Sequence, residues 1–227
     1  MKKTVAVLLL SSLLVSACAS QPRGPRRPLK LSANPSALLA QEIAMEQLGQ
    51  EKGRSAGLSK YAAPDAIMFA PQLVQAQKWL KDAKLPPIDW EVHKVIMSCD
   101  GKTGVTTGAW IASGELHGYF TTVWQRYEKR DGSGKWLWTL THDDRLDKPL
   151  KAPDFIQTQT ASCKGRAPAS ISAPAEGVRM KQGLSRDQSL SWTWQYRPDQ
   201  SRMIEIKIWD GEKTVPVLTN NVAAPEK

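Results

Sequence analysis

The stretch YFTTVWQRYEKRDGSGKWLWTLTHDD, Tyr119 to Asp144, contains two runs of alternating apolar and polar residues around one turn. The turn is Asp131-Gly132-Ser133-Gly134, and aspartate followed by glycine is typical of a hairpin connection. A period of two residues indicates β-strands, because successive side chains point to opposite faces. The stretch therefore predicts a long antiparallel hairpin. The second strand would carry four residues on one face: Trp136, Trp138, Leu140 and His142.

Two further strands are predicted upstream, joined by a turn at Asp100-Gly101. The first begins at Asp89, and the return strand is Thr103 to Ile111. In the first strand, strict alternation would put Trp90, Val92 and Ile96 on one face and Val95, Met97 and Cys99 on the other. With Leu116 to Tyr127 and Lys135 to His142, these strands predict an antiparallel meander.

The region before the strands has helical periodicity. Asn34 can cap a first helix that ends before Gly53, and Pro35 suits its first turn. Further helices are predicted at Ser55 to Tyr61 and Gln72 to Lys81, with a short strand at Ala66 to Ala70 between them. Helices followed by strands indicate an α+β fold, with the N-terminal helices packed on a curved antiparallel sheet.

The C-terminal third has a different composition. Residues 148–188 are rich in Pro, Ala, Ser and Gln, and we interpret them as an irregular connection. Residues 189–219 alternate again and predict a three-stranded β-meander, followed by a tail at 220–227. Its Trp192, Trp194 and Tyr196 either attach the meander to the first domain or form a platform on which a sugar stacks.

The N-terminus has the order of a secretory signal, with Lys2 and Lys3, an apolar run and then small residues. The apolar run is too short to span a membrane, and residues 1–17 are therefore predicted to be a signal peptide. Val15-Ser16-Ala17-Cys18 resembles a bacterial lipobox, which implies acylation of Cys18 and a lipid anchor in the cell envelope. The alternative is ordinary cleavage after Ala19. Because no aspartate follows Cys18, the resemblance implies the outer membrane, facing the periplasm.

Residues 18–33 are rich in proline and arginine and predict an extended tether. The formal charge is +9, and it becomes +7 when Lys2 and Lys3 are removed with the signal. This charge is dispersed, and no nucleic-acid-binding motif is present, so nucleic acid is not expected as a partner.

Cys99 and Cys163 remain once Cys18 is assigned to the anchor. An even number of cysteines in an oxidising compartment indicates one disulfide, and two unpaired buried thiols are the alternative. The histidines are scattered, and no spacing typical of a metal site appears. Phosphate-loop and nucleophile-elbow motifs are also absent from the sequence, so no cofactor is expected.

Residues 34–147 resemble the nuclear-transport-factor-two-like superfamily, the cone-shaped fold of SnoaL-like and ketosteroid-isomerase-like proteins. The phrases that carry the resemblance are YAAPDAIMFAP, GVTTGAW and the hairpin quoted above. The resemblance implies a sheet curled around a pocket that the helices cap. It also implies that the general base of isomerase-like members corresponds to Ala70, which cannot accept a proton.

The resemblance and the strand faces together define the expected pocket. Its lining would be Tyr61, Phe69, Trp110, Tyr119, Trp124, Trp138 and His142. The tryptophans either fill the core or surround an apolar or planar ligand. His142 with Asp143 or Asp144 is the best candidate for acid–base chemistry. The alternative for His142 is a structural role at a strand end.

Three functions follow from these observations. The first is a non-catalytic envelope lipoprotein that binds a small apolar ligand or a partner. The second is an isomerase or dehydratase that uses His142. The third is a structural scaffold, which the resemblance implies could be a homodimer paired through its sheet.

Overall fold

Asn34 caps the first helix as the sequence predicts, because its side chain accepts a hydrogen bond from the Ala37 N–H at 3.1 Å. Helix α1 is Pro35–Lys52 and α2 is Arg54–Tyr61. Gly53 separates them with φ of 95°, a left-handed backbone conformation that favours glycine. The structure is a computed structural model, and it describes residues 33–114, 116–131, 133–168 and 173–225. The predicted signal, Cys18 and the tether up to residue 32 lie outside the described residues.

The chain after α2 differs from the prediction. Strand β1 is Ala62–Phe69, strand β2 is Leu73–Gln75, and α3 is a single turn at Ala76–Trp79. The prediction of a helix over Gln72 to Lys81 is therefore wrong for the first half of that range. Strand β2 instead pairs with β1 in antiparallel register, with Ile67 opposite Gln75. Pairing satisfies the edge of β1, and this gain outweighs a weak local helix propensity.

The large sheet contains seven strands in the order β2-β1-β6-β5-β4-β3-β7. Its remaining strands are β3 Ile88–Met97, β4 Thr103–Ala112, β5 Leu116–Glu128, β6 Gly134–Arg145 and β7 Gln157–Thr160. The predicted meander is β3 to β6. The expectation of a wholly antiparallel sheet is wrong, because β1 runs parallel to β6 and β7 runs parallel to β3. The predicted α+β class is confirmed.

The small sheet has four strands in the order β11-β10-β9-β8, where three were predicted. They are β8 Arg179–Leu184, β9 Leu190–Tyr196, β10 Arg202–Trp209 and β11 Thr214–Val222. The extra strand β8, like β7, comes from the predicted irregular connection. Neither has a clear apolar alternation, because β7 is wholly polar and β8 contains Gly183. Both segments are strands because they form hydrogen bonds with neighbouring strands, β7 with β3 and β8 with β9.

Each face of the large sheet has its own core. On the side that we call the helix side, α1, α2 and α3 cover a core that includes Leu38, Met45, Trp110, Trp124 and Trp138. On the side that we call the inter-sheet side, the small sheet covers a second core. The large sheet contributes Phe69, Ile96, Val105, Val123 and Leu140 to it, and the small sheet contributes Leu190, Trp192, Trp194, Ile204, Ile206 and Ile208. Trp192 and Trp194 are therefore packed between the sheets.

Two β-bulges change which residues face which side. In β6, Val123 pairs with Leu140 while Trp124 pairs with Trp138, so Thr139 is the extra residue. Trp138 consequently faces the helix side and Leu140 the inter-sheet side, although they are two residues apart. The predicted shared face of Trp136, Trp138, Leu140 and His142 is wrong for this reason.

The second bulge is in β3, between Val92 and Lys94. It places Val92 on the helix side with Val95, while Ile96 faces the inter-sheet side. The predicted grouping of Val92 with Ile96 is therefore wrong. Gly108 lies opposite the bulge, where a Cβ atom would collide with the Glu91 carbonyl group. Glycine at this position lets the two backbones approach.

The predicted disulfide is present. Cys99 and Cys163 are joined across 64 residues, with their Cα atoms 5.2 Å apart. Next to the bridge, the Cys99 N–H donates a hydrogen bond to Ser189 Oγ at 2.8 Å, and the Trp209 indole donates to the Lys164 carbonyl at 2.7 Å. The bridge thus links the β3–β4 turn to the segment that leads into the small sheet.

Candidate functional site

The space between the helices and the large sheet is almost filled by tryptophan. Trp124 and Trp138 are fully buried, and Trp110 is 8% exposed. The Trp138 indole donates a hydrogen bond to the Leu58 carbonyl of α2 at 2.9 Å, which fixes the ring under the helix. A cavity of about 20 Å³ remains. It is lined by Glu42, Met45, Arg54, Leu58, Ile88, Trp90, Phe120, Thr122, Thr141 and Asp143, and we call it the Glu42 cavity.

Glu42 is a buried carboxyl group in the apolar stripe of α1, between Leu38 and Met45. One carboxyl oxygen, Oε2, accepts hydrogen bonds from Thr106 Oγ1 at 2.5 Å and from the Trp124 indole at 2.9 Å. Burial raises the pKa of Glu42 to about 7, and these hydrogen bonds oppose that rise. Glu42 is therefore partly protonated near neutral pH.

Three buried polar atoms around the Glu42 cavity make no hydrogen bond of ordinary geometry among the described residues, although the Trp90 side chain is near enough to Glu42 to lower its pKa. They are Glu42 Oε1, Arg54 Nε and Trp90 Nε1. Arg54 and Trp90 supply N–H donors, and Glu42 supplies an acceptor. A single water molecule fits a cavity of this size, and the residues that carry these three atoms all line it. The arrangement can therefore hold one water, or one oxygen atom of a small polar group.

Arg54 and Asp143, which both line this cavity, form an ion pair. Arg54 Nη2 lies 2.6 Å from Asp143 Oδ2, and the side chains are 15% and 37% exposed. Arg54 is at the start of α2 and Asp143 is on β6, so the pair ties the second helix to the sheet. Asp143, which the sequence suggested for acid–base chemistry, is therefore paired with Arg54 on the helix side.

His142 lies on the opposite side of the sheet, in the inter-sheet core, and is 1% exposed. Arg202 Nε donates a hydrogen bond to His142 Nδ1 at 3.3 Å, and Tyr119 Oη lies 3.1 Å from His142 Nε2. Because an arginine can only donate, Nδ1 is the unprotonated nitrogen and Nε2 carries the hydrogen. The ring also contacts Phe69 edge-on, with centroids 5.8 Å apart.

Burial, and to a smaller extent the charge of Arg202, lower the pKa of His142 to about 3. The ring is therefore neutral at physiological pH, with both nitrogens engaged by protein groups. Asp144 Oδ1 lies 3.6 Å from Arg202 Nη2 on the same side, and burial raises the pKa of Asp144. The predicted trio of His142, Asp143 and Asp144 is thus divided, because Asp143 faces the other side.

The structure does not bring the predicted pocket residues together. Tyr61, Trp110, Trp124 and Trp138 belong to the helix side. Phe69, Tyr119 and His142 meet in the inter-sheet network. The bulge at Thr139 accounts for the misplacement of His142. Ala70, which the sequence resemblance aligns with the isomerase base, is partly buried and packs against the helix-side core.

Residues that sequence reasoning missed are Glu42, Arg54 and Arg202. A signal existed for Glu42, because a carboxylate at a buried position of a helical stripe is uncommon. No comparable signal distinguished Arg54 or Arg202 among the 31 basic residues of the chain.

Three further observations concern possible sites elsewhere in the part of the chain that the structure describes. A depression of about 610 Å³ lies beside α3 and is lined by Val74, Gln75, Lys78, Trp79, Asp82 and Ala83, none of which belongs to the predicted pocket. In the described ranges, no three acidic, histidine or cysteine side chains are grouped so that they could hold a metal ion. None of the helices in those ranges combines the length and apolar character that crossing a membrane requires.

Comparison with known proteins gives likeness in fold only. No protein-family model and no curated protein matches the chain. A candidate ketosteroid isomerase from Parabacteroides distasonis is 17% identical over 52% of this chain and 97% of its own, with a TM-score of 0.40. A ketosteroid isomerase-like protein from Erwinia carotovora is 8% identical, over 50% of this chain and 97% of its own, with a TM-score of 0.37. The CaMKII hub from S. rosetta is 15% identical, over 51% and 98%, with a TM-score of 0.38.

Proposed function

We propose that this protein is a non-catalytic lipoprotein of the bacterial envelope that acts through its surface. The observation that carries the proposal is the filling of the helix side by Trp124 and Trp138, which leaves a cavity of about 20 Å³. Pockets for small organic ligands are usually about 300–1,000 Å³. The expected apolar ligand therefore has no space among the predicted pocket residues of the helix side. A partner at the surface, where the depression beside α3 lies, is favoured over it.

Catalysis through His142 is disfavoured by the same geometry. A general base must reach its substrate within hydrogen-bond distance. His142 is enclosed between two sheets, and its two nitrogens face Arg202 and Tyr119. Asp143 is paired with Arg54 on the other side of the sheet. Both nitrogens of His142 are therefore engaged, and one carboxyl oxygen of Asp143 is held by Arg54.

Location at the envelope is proposed from the sequence. Cys18 in its lipobox would anchor the chain, and the tether at 18–33 would separate the lipid from the folded part. The Cys99–Cys163 bridge supports an oxidising compartment. We also propose that the chain does not pair through its large sheet, because the small sheet covers that face.

A ligand-binding role has one observation in its favour, the three unpaired atoms of the Glu42 cavity. A small polar group that places one oxygen between Trp90, Arg54 and Glu42 would satisfy them. This second candidate differs from the first in requiring α1 or α2 to move, since the cavity has room for about one water.

Native mass spectrometry of the chain carrying Cys18→Ser, purified from periplasm, tests the proposal. We expect the bare monomer mass, and a retained small molecule would overturn the surface role in favour of the second candidate. A second test compares the effect of added indole on the Tm of the parent and of Trp124→Ala. Indole should raise the Tm of Trp124→Ala, in which the truncation opens a cavity, and leave the parent unchanged. Trp124→Leu serves if the alanine variant does not fold. Stabilisation of the parent by indole would contradict a filled interior.

A further inference from the structure

Five basic side chains line one depression of about 520 Å³. They are Lys102, Arg126, Lys129, Arg130 and Arg186, and we call them the basic surface. Lys102 follows the β3–β4 turn, Arg126, Lys129 and Arg130 belong to the β5–β6 hairpin, and Arg186 lies in the β8–β9 turn. One acidic residue, Glu128, lines the same depression. The chain as a whole has 31 basic and 22 acidic residues, so the local excess of positive charge is much larger.

The basic surface has little internal neutralisation. Glu128 pairs with Lys102, with Oε2 and Nζ 2.7 Å apart. The Lys102 hydrogen bond lowers the pKa of Glu128, and the charges of Arg126 and Arg186 lower it further. These two arginines therefore lie close enough to act on Glu128. Within the described ranges, the side chains of Arg126, Lys129, Arg130 and Arg186 make no salt bridge.

Specific contacts hold the contributing turns together despite their like charge. Asp187, next to Arg186, accepts a hydrogen bond from the Asp100 N–H at 2.8 Å, and Ser189 Oγ accepts one from the Cys99 N–H at 2.8 Å. The Cys99–Cys163 bridge lies at the same turn. Repulsion between unpaired cations opposes such an arrangement. A fixed array of cations that folding alone does not require is typical of a site for an anionic partner.

Tyr127 indicates which anionic partner fits. It lines the same depression and is 38% exposed, so an aromatic ring with a polar tip adjoins the basic side chains. Burial and the charge of Asp65 raise the pKa of its hydroxyl. Tyrosine beside lysine and arginine is the composition of protein segments that contact a membrane interface. Each Lys or Arg close to an anionic bilayer adds an attraction that salt screens.

We propose that the basic surface docks on the anionic headgroup layer of a phospholipid membrane. The proposal rests on the envelope location proposed above, and it names the surface through which the protein acts. The 16-residue tether at 18–33 would span up to about 50 Å when extended, which is enough for the folded part to turn this surface towards the bilayer. The contact is electrostatic and reversible.

Vesicle sedimentation tests the docking without any dependence on acylation. The chain carrying Cys18→Ser is mixed with vesicles of phosphatidylcholine alone or with about one third phosphatidylglycerol. The test variant adds Lys129→Glu, Arg130→Glu and Arg186→Glu, all at exposed positions. The control adds Lys84→Glu, Lys148→Glu and Lys151→Glu, also exposed, and changes the net charge by the same amount. The basic tether is retained in both.

We expect the parent and the control to bind the anionic vesicles at low salt, and the test variant to bind at least tenfold more weakly. Equal weakening of the test and control variants would overturn the proposal, because net charge alone would then explain binding. If the test and control variants both bound the anionic vesicles as strongly as the parent, the proposal would be overturned, because the basic tether would then account for the binding. Binding of inorganic phosphate without binding of vesicles would assign a soluble-anion site instead. Loss of the membrane contact in cells while purified protein still binds vesicles would reject the proposed location, not the docking surface.

Discussion

Arg202 Nε lies 3.3 Å from Nδ1 of His142, so a permanent cation donates to the ring that the sequence had marked as a base. Arg202 comes from the small sheet and His142 from the large sheet. The same guanidinium also donates to the Asp143 carbonyl at 3.1 Å. The pair therefore joins the two sheets.

Because His142 is buried and faces Arg202, its folded pKa of about 3 is below the value of 6.5 for an unperturbed histidine. Between these values the unfolded chain binds a proton that the folded chain does not. The free energy of unfolding should thus fall as the pH drops from 6.5 towards 3, by on the order of 5 kcal/mol in total. His142→Gln should lose this dependence in denaturant titrations at several pH values. His93→Gln is the control and should keep it.

The contribution of Glu42 to the pH dependence of stability has the opposite sign. Its folded pKa of about 7 exceeds the unperturbed value of 4.5, so the folded chain binds a proton that the unfolded chain does not. The stability due to the protonated carboxyl is complete below pH 4.5 and is lost as the pH rises through 7, about 3 kcal/mol at most. Glu42→Gln should remove this loss, measured as the difference between pH 5 and pH 8. Glu51→Gln, at an exposed position of α1, should behave like the parent. An unchanged difference in Glu42→Gln would contradict the buried position of the carboxyl.

Removing the disulfide should destabilise the chain through its unfolded state. The bridge closes a loop with a separation of 64 residues, and its loss allows the unfolded chain more conformations. In a Cys18→Ser background, the double change Cys99→Ala and Cys163→Ala should lower the free energy of unfolding by about 2–4 kcal/mol in guanidinium titrations. The reduced parent should match the double variant. A parent that is insensitive to reductant would argue against the bridge.

The inter-sheet core should control the stability of both sheets. Ile206 is fully buried between them, and Ile206→Ala should cost about 2–4 kcal/mol. Ile111→Ala is the matched control, because Ile111 is 55% exposed. Near-ultraviolet circular dichroism and hydrogen exchange should report one transition for both sheets. Separate unfolding of the small sheet would contradict a shared core.

Lipid anchoring depends on one thiol. Cys18→Ser should move the protein from the membrane fraction to the soluble periplasmic fraction, because the acylated side chain is gone. Fractionation with immunodetection measures this shift. Since the basic surface binds reversibly, washing at high salt separates the two contributions. Persistence of Cys18→Ser in washed membranes would reject the lipobox interpretation.

The sequence predicted the helices at Asn34 and Ser55 and the four long strands closely, because capping residues, turn glycines and apolar periods act locally. It did not predict β2, β7 or β8, whose pairing depends on neighbours distant along the chain. Short polar strands contain no period that could identify them.

The candidate site was harder to predict than the fold, for a reason that lies in one residue. Alternation assigns faces only where a strand is regular, and the bulge at Thr139 exchanges the two faces for the rest of β6. Nothing in KWLWTLTHDD marks Thr139 as the extra residue. The positions of His142 and Asp143 therefore required the paired strand, and the role of Arg202 required the packing of the small sheet.

The shared core of the two sheets also limits how this chain could change during evolution. A segment that recombines between genes must bury its own apolar surface wherever it arrives. Residues 34–147 alone would leave Val105, Val123 and Leu140 uncovered, and the small sheet alone would expose Ile204 and Ile206. Neither half would cover its own apolar surface without the other. The boundary near residue 148, which composition makes conspicuous, is therefore a poor place for natural recombination, and we expect the two halves to be inherited together.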